Sequence, residues 1–143
     1  MRLLFASAAL LLAACQAGES ALAVEDGWAR ATAPGQDGAA VYLTIVNRGA
    51  SADRLIEVSV PRAGHAMLHG SSMEGGVMRM RHLADGLAVP PSSTVELAPN
   101  GSHIMLAGLG APLRPGERFP VTLRFAKAGT KEAIVTVEDP SAR

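Results

Sequence analysis

The chain has 143 residues, and its 13 Lys and Arg balance 13 Asp and Glu, so the formal net charge is zero at pH 7. Because such a surface has no net field, the composition argues against binding to nucleic acid or to an anionic membrane surface. The length suits one domain with a proper core once a targeting segment is removed. Plentiful Gly and Pro, few aromatic residues and short apolar runs favour many short strands over long helices.

Residues 1–23 are predicted to be an export signal and a short leader. Arg2 precedes an apolar run, Leu3–Ala14, that is too short to cross a bilayer as a mature helix. The tetrapeptide "LAAC" resembles a bacterial lipobox and places the chain's single cysteine, Cys15, at the position that such proteins acylate. A diacylated terminus would anchor the protein stably to a membrane. The alternative is ordinary cleavage after Ala23, which would discard Cys15 and leave a soluble protein.

Either cleavage leaves a mature domain with no thiol, because the chain has one cysteine. A disulfide framework, a CxxC redox pair and a cysteine nucleophile are therefore excluded. The export signal places the protein outside the cytoplasm, where thiols tend to be oxidised. Any soft-metal chemistry must use other donors.

Residues 24–138 are predicted to form a single all-β domain, an antiparallel β-sandwich or barrel of about eight or nine strands, followed by a frayed tail at 139–143. The segments alternate apolar with polar residues or are rich in β-branched residues, and turns containing Gly, Pro and Asn separate them. The strands expected from the pattern are Ala39–Asn47, Asp53–Val60, His65–Gly70, Gly76–Leu83, Thr94–Leu97, His103–Leu109, Arg118–Ala126 and Lys131–Glu138.

Apart from the initiator Met1, histidine and methionine are confined to one window of the chain, between positions 65 and 105. Methionine used as a core gap-filler should be scattered through the core, and here it is concentrated beside histidine. This bias is the strongest functional signal in the sequence. The residues are His65, Met67, His69, Met73, Met78, Met80, His82, His103 and Met105.

Strand geometry makes this window usable as a metal site, because side chains at i and i+2 share a face. His103 and Met105 should therefore project together, with Ile104 on the other face. Met78 and Met80 share a face in the same way. If these strands meet, imidazole nitrogens and thioether sulfurs converge.

Such a donor set suits copper, since thioether is soft and neutral and favours Cu(I), and imidazole also binds copper. Zinc prefers Cys, His or carboxylate. We interpret His82 as a structural histidine. Four other residues in the window are kept as candidate auxiliary metal ligands: His65, Met67, Met73 and Met78.

Three other classes of protein are weighed against this interpretation. An electron-transfer copper protein needs a cysteine thiolate ligand, which the mature chain does not have. A zinc hydrolase needs a further nitrogen or oxygen ligand and a general base, and the sequence has no HExxH or comparable cluster. A metal-free β-sandwich lipoprotein with a scaffolding or adhesive role would explain the export and the strands but not the confinement of His and Met.

From about Val24 to Val137 the chain resembles the periplasmic copper chaperones called PCu(A)C. The likeness includes "DGWARATAPGQDGAAVYLTIVN", "LHGSSMEGGVMRMR", "VELAPNGSHIMLAGL" and "PLRPGERFPVTLRF". The family's copper pattern is a His, ten residues, a Met, a longer interval and then His-x-Met. His69, Met80 and His103-Ile104-Met105 satisfy it, with one more residue than usual between Met80 and His103. Gly70 replaces a frequent acidic residue, and the His/Met-rich tail of some members is missing.

The resemblance implies a cupredoxin-like β-sandwich that binds Cu(I) through His69, Met80, His103 and Met105. It also implies a non-enzymatic chaperone in the periplasm, which delivers copper for the assembly of a respiratory oxidase copper centre. The expected partners are the copper-accepting subunit of a terminal oxidase and a Sco-type thiol protein. The membrane is contacted only through the lipid anchor, and no nucleic acid is expected.

Overall fold

The computed structural model describes residues 21–142, so the predicted export segment up to Ser20, with Cys15, and also Arg143 lie outside the described residues. Within 21–142 the secondary structure is entirely β, and that range contains no helix long and apolar enough to cross a membrane. The strands are β1 (Leu22–Arg30), β2 (Ala39–Asn47), β3 (Asp53–Ser59), β4 (Ala63–Glu74), β5 (Val77–His82), β6 (Leu87–Val89), β7 (Ser93–Leu97), β8 (His103–Leu109), β9 (Arg118–Phe125) and β10 (Gly129–Glu138).

Most strands lie where the sequence pattern placed them, and β2 and β8 have the expected bounds. Two strands were not assigned from the sequence. Strand β6 has three residues, and β1 is interrupted by a register shift between Glu25 and Trp28, where Asp26 has a φ of 52°. Strand β1 begins at Leu22, two residues before the expected domain start, because Leu22 is buried and pairs with Asn47.

The strands form one mixed sheet in the order β5-β4-β8-β2-β1-β10-β9-β3-β6, with β7 paired to β2. The expected single all-β domain is confirmed. One pair departs from a purely antiparallel arrangement, since β1 runs parallel to β10. Strands distant in this order also meet in space, β3 with β4 and β6 with β7, so the sheet wraps a single core.

The core is formed by residues that alternate along several strands with exposed or half-exposed ones. Strand β9 buries Phe119, Val121, Leu123 and Phe125 and exposes or half-exposes the residues between them. On β4 and β8 the inward positions are Leu68, Ile104 and Leu106. The intervening His and Met residues of β4 and β8 therefore lie on the outer face of the sheet.

Strand β2 pairs with both β7 and β8 and thereby positions the start of β8. Its first residues, Ala39–Val41, pair with β8, and its later residues, Leu43–Asn47, pair with β7. A turn from Ala98 to Ser102 joins β7 to β8, with Asn100 at a φ of 66°. This turn delivers His103 directly beside β4.

The packing of Leu22 predicts the cost of cleavage after Ala23. A chain beginning at Val24 loses the buried Leu22 side chain, its pairing with Asn47 and the bond from the Arg48 N–H to the Ala21 carbonyl. We expect it to be less stable than a chain beginning at Ala21 by about 2–4 kcal/mol, measured by urea unfolding. Equal stability of the two chains would show that the start of β1 contributes nothing to the fold.

Candidate metal centre

The pairing of β4 with β8 brings two histidines directly opposite each other. His69 is the cross-strand partner of His103, and their ring centroids lie 5.7 Å apart at an interplanar angle of 84°. Met67 lies opposite Met105 on the next rung of the same face, where one rung is two residues along each strand. Because directly paired residues share a face, these two imidazoles and two thioethers project to the same side of the sheet.

His103 is the most firmly held of these donors, being only 6% exposed. Its Nδ1 lies 3.0 Å from the Gly101 carbonyl oxygen. A carbonyl can only accept, so Nδ1–H donates and the lone pair of the neutral ring is on Nε2. This is the arrangement in which a backbone carbonyl orients a metal-binding histidine. The Tyr42 ring, 6.4 Å from His103 between centroids, stacks in turn on Trp28 at 4.5 Å.

The turn before β8 also fixes β4 relative to His103. The Ser71 hydroxyl donates to the Asn100 carbonyl oxygen at 2.7 Å, and the next carbonyl, that of Gly101, accepts from His103. Two successive carbonyl groups of this turn thus accept hydrogen bonds, one from Ser71 on β4 and one from the His103 ring. The turn residues "PNGS" are therefore part of the site as well as a connection.

Met105 has small neighbours on its β2 side. It pairs with Ala40 on one side and Met67 on the other. A Cβ added to Gly38 would lie 3.3 Å from the Met105 Cε methyl, so Gly38 leaves the room that the thioether occupies. Met105 is half-buried as a result.

Strand β5 adds Met80 and His82 to the same face. His82 pairs with His69, with ring centroids 6.0 Å apart, and its Nδ1 lies 3.2 Å from the Leu68 carbonyl oxygen. Met80 pairs with Ser71, one rung from His69, and is 62% exposed. His69 therefore lies between His103 on β8 and His82 on β5.

The remaining candidates lie further out on this face. His65 is exposed and pairs with Ala107, one rung beyond Met67. Met73 and Met78 pair with each other near the end of the β4–β5 hairpin, beyond Met80. The structure thus places His69, His103, Met67 and Met105 on one face of the β4–β8 pair and Met80 one rung from His69 on the exposed side.

His69 has a pKa below its ordinary value. Burial is the main cause, because it disfavours the charged imidazolium, and the neighbouring His103 and His82 add repulsion. His69 therefore stays neutral, with a lone pair available, at pH values where an isolated histidine begins to take up a proton. A neutral ring is the form that binds a metal ion.

The donor types define what this face can bind. Residues 21–142 contain no group of three or more His, Cys, Asp or Glu side chains arranged to hold a metal ion. The face instead offers imidazoles flanked by thioethers, a combination that favours a soft, monovalent ion such as Cu(I) over Zn²⁺ or Mg²⁺.

Sequence reasoning missed three contributors to this site. His82 was interpreted as structural, and its bond to the Leu68 carbonyl fits that role, yet its ring faces His69. Its spacing of two from Met80 places it on the same strand face and could have indicated this. Tyr42 and Gly38 carried no comparable signal, since only the pairing of β2 with β8 brings them to His103 and Met105.

Comparison with solved structures defines the class of protein. The apo PCuAC domain from PmoF1 matches with a TM-score of 0.71 and 31% identity over 84% of this chain and 95% of that one. The copper-bound PCuAC domain from PmoF2 matches at 0.70 and 30%, over 84% and 94%. The Cu(I) form of DR1885 from Deinococcus radiodurans matches at 0.66 and 30%, over 90% and 87%. The fold is the cupredoxin-like fold of PCuAC domains, as the sequence resemblance predicted.

The sequence comparisons identify the family. Residues 22–137 match the family described as "Putative lipoprotein LpqE-like". A protein of Leifsonia xyli subsp. xyli named "Putative lipoprotein Lxx21020" is 34% identical over 116 residues, which cover 81% of this chain and 69% of that protein. The chain belongs to the LpqE-like lipoprotein family.

The pKa of His69 gives a testable pH dependence. Its folded-state pKa lies below the unfolded value of about 6.5, so the unfolded chain binds more protons and stability falls as the pH drops below about 6.5 toward the folded pKa. In an NMR titration, His82→Ala should raise the His69 pKa by removing one repulsive neighbour.

His65→Ala is the matched control, because His65 lies two rungs from His69 and should leave its titration unchanged. A His69 midpoint at or above about 6.5 in the unsubstituted protein would contradict the electrostatic account of this site.

Proposed function

We propose that this protein is an extracytoplasmic Cu(I)-binding chaperone. The observation that carries the proposal is the direct opposition of His69 and His103 across β4 and β8, with the thioethers of Met105 and Met80 on the same face. Two of the similar solved structures contain copper, the PCuAC domain of PmoF2 and, as Cu(I), DR1885. Both are about as similar to this chain as the apo PmoF1 domain.

Three of the proposed ligands are positioned by their surroundings, and the fourth is exposed. His103 is oriented by the Gly101 carbonyl, His69 is kept neutral by its surroundings, and Met105 is half-buried against Gly38. Met80 is the exposed fourth ligand on the edge strand β5. All four are neutral, so binding releases no thiol proton and cannot be lost to disulfide formation.

Met67 is the strongest competitor of Met80 for the fourth position. It lies directly opposite Met105 and two residues from His69 on the same strand, whereas Met80 reaches the histidines from β5. We assign Met80 to the ligand set because its exposure allows it to leave the metal when an acceptor approaches. Met67 then lies beside the ligand set, opposite Met105, without binding the ion.

Copper transfer by such a site is a ligand exchange with no bond made or broken in a substrate, so the proposed function is not enzymatic. Thiolate is a stronger soft donor than thioether, so an acceptor with cysteine ligands can take Cu(I) once the exposed Met80 gives way. We propose that the acceptor is the copper-bearing subunit of a terminal respiratory oxidase, with a Sco-type thiol protein as a cooperating partner.

A lipid anchor at Cys15 completes the proposal. Membership of a lipoprotein family supports it, and so does the burial of Leu22, because cleavage after Ala23 would remove part of β1. Periplasmic location on a membrane surface would raise the effective concentration of the chaperone near a membrane-embedded acceptor.

Removal of a ligand should weaken Cu(I) binding without unfolding the protein, since none of the four belongs to the hydrophobic core cluster, although His103 is buried beside it. Loss of a residue that merely orients a ligand costs about 10–100-fold in affinity, so we expect each ligand variant to lose at least as much. The variants are His69→Ala, Met80→Leu, His103→Ala and Met105→Leu, measured by competition with a Cu(I) chelator.

Met67→Leu is the matched control and should have a much smaller effect than Met80→Leu. The reverse order would transfer the fourth position to Met67. X-ray absorption of the loaded protein should show sulfur as well as nitrogen neighbours, and a shell of nitrogen and oxygen alone would refute the proposed site.

Substitution of Cys15 tests the anchor separately from the metal site. Cys15→Ser should abolish acylation and move the protein from the membrane fraction to the soluble fraction, or leave it uncleaved, with unchanged Cu(I) affinity. Mass spectrometry of the native protein measures the mature N-terminus. A product that begins at Val24 without acyl chains would contradict the proposed tether.

A further inference from the structure

The outer half of the β4–β5 hairpin has a defined geometry. Gly75 and Gly76 form its two-residue turn with φ values of 59° and 80°, which suits a tight hairpin connection. Glu74 and Val77 close the turn, and the adjacent residues Met73 and Met78 pair directly with each other. This register places both methionines on the same face as Met80.

The two faces of this hairpin differ in chemistry. One face carries a polar network in which Arg79 forms an ion pair with Glu74 at 3.3 Å and the Ser72 hydroxyl donates to Glu74 at 3.4 Å. The other face carries the side chains of Met73, Met78 and Met80, with Ser71 between Met73 and His69. Arg79 and Arg81 both lie on the polar face.

The three thioethers have no packing role that would account for them. Met73 is 64% exposed, Met78 41% and Met80 62%, although methionine is ordinarily a filler of irregular core space. Three exposed methionines on successive positions of one hairpin face leave soft donors open to solvent. Their chemistry, more than their hydrophobicity, explains the arrangement, because thioether is a donor selective for Cu(I).

We propose that Met73, Met78 and Met80 form a second, outer site for Cu(I), through which copper enters and leaves the His69–His103 centre. The inference rests on the proposed copper function and extends it to a route. Directly paired residues such as Met73 and Met78 have Cβ atoms about 4.5–5.5 Å apart, and the diagonal neighbours Met73 and Met80 are within reach of long side chains. Three flexible thioethers can therefore close on one ion.

Met80 connects the two sites. It lies one rung from the His69–His82 pair and one rung from the Met73–Met78 pair, on the same face as both. An ion held by Met80 can therefore exchange its other ligands stepwise, from outer thioethers to inner imidazoles. The outer site has thioethers only, so it binds more weakly than the inner site and passes copper inward from a donor or outward to a thiolate acceptor.

The test uses the mature protein carrying ¹³C-methyl methionine, titrated anaerobically with Cu(I) and, in parallel, with redox-inert Ag(I). The first equivalent should shift the ring signals of His69 and His103 and the methyl of Met105. The second should shift the methyls of Met73, Met78 and Met80, because Met80 then leaves the inner ion to complete the outer site. Met73→Leu with Met78→Leu, which nearly conserves volume, should lose the second response, retain the first and slow copper release to a small dithiol.

Arg79→Gln with Arg81→Gln on the opposite face is the matched control and should retain both responses. The proposal is overturned if the Met73 and Met78 methyls do not move with the second equivalent, or if the double methionine variant releases copper as fast as the unsubstituted protein. Failure of the copper function itself is distinguishable, because it would appear as unmoved His69 and His103 signals at the first equivalent.

Discussion

The register between β4 and β8 is the constraint on which the candidate site depends. Side chains alternate with a period of two, so a slip of one residue would turn His69 into the core and bring Leu68 to the surface. The burial of Leu68 and Ile104 specifies the register, and the outer face inherits the opposition of His69 to His103. The packing of the hydrophobic core therefore determines how the two histidines of the candidate site face each other.

The second constraint is electrostatic. His69 has an imidazole on each side, His103 and His82, and burial together with repulsion from these two rings lowers the pKa of His69 and favours its neutral form. The backbone carbonyls of Gly101 and Leu68 orient the two flanking rings, so each donates from Nδ1. The neutral His69 ring is poorly suited to holding a proton and well suited to binding a soft cation.

Much of this arrangement could be predicted from the sequence, because strand periodicity and the confinement of His and Met are local properties. The bounds of β2 and β8 and the shared face of His103 and Met105 follow from alternation. The parallel pairing of β1 with β10, the part played by His82 and the room beside Gly38 depend on which strands become neighbours. Periodicity carries no information on that choice, which is made by packing of the whole core.

The unequal exposure of the methionines has a consequence for chemical damage. In an oxidising compartment, thioethers open to solvent are converted to sulfoxides, whose polar oxygen replaces the soft sulfur donor. Met73 and Met80 would be attacked first, whereas Met105, half-buried beside Gly38 and Ala40, is shielded. Oxidation would thus remove Met80 from the proposed ligand set while the inner imidazoles and Met105 stayed intact, so the proposed site would bind Cu(I) more weakly without losing its fold.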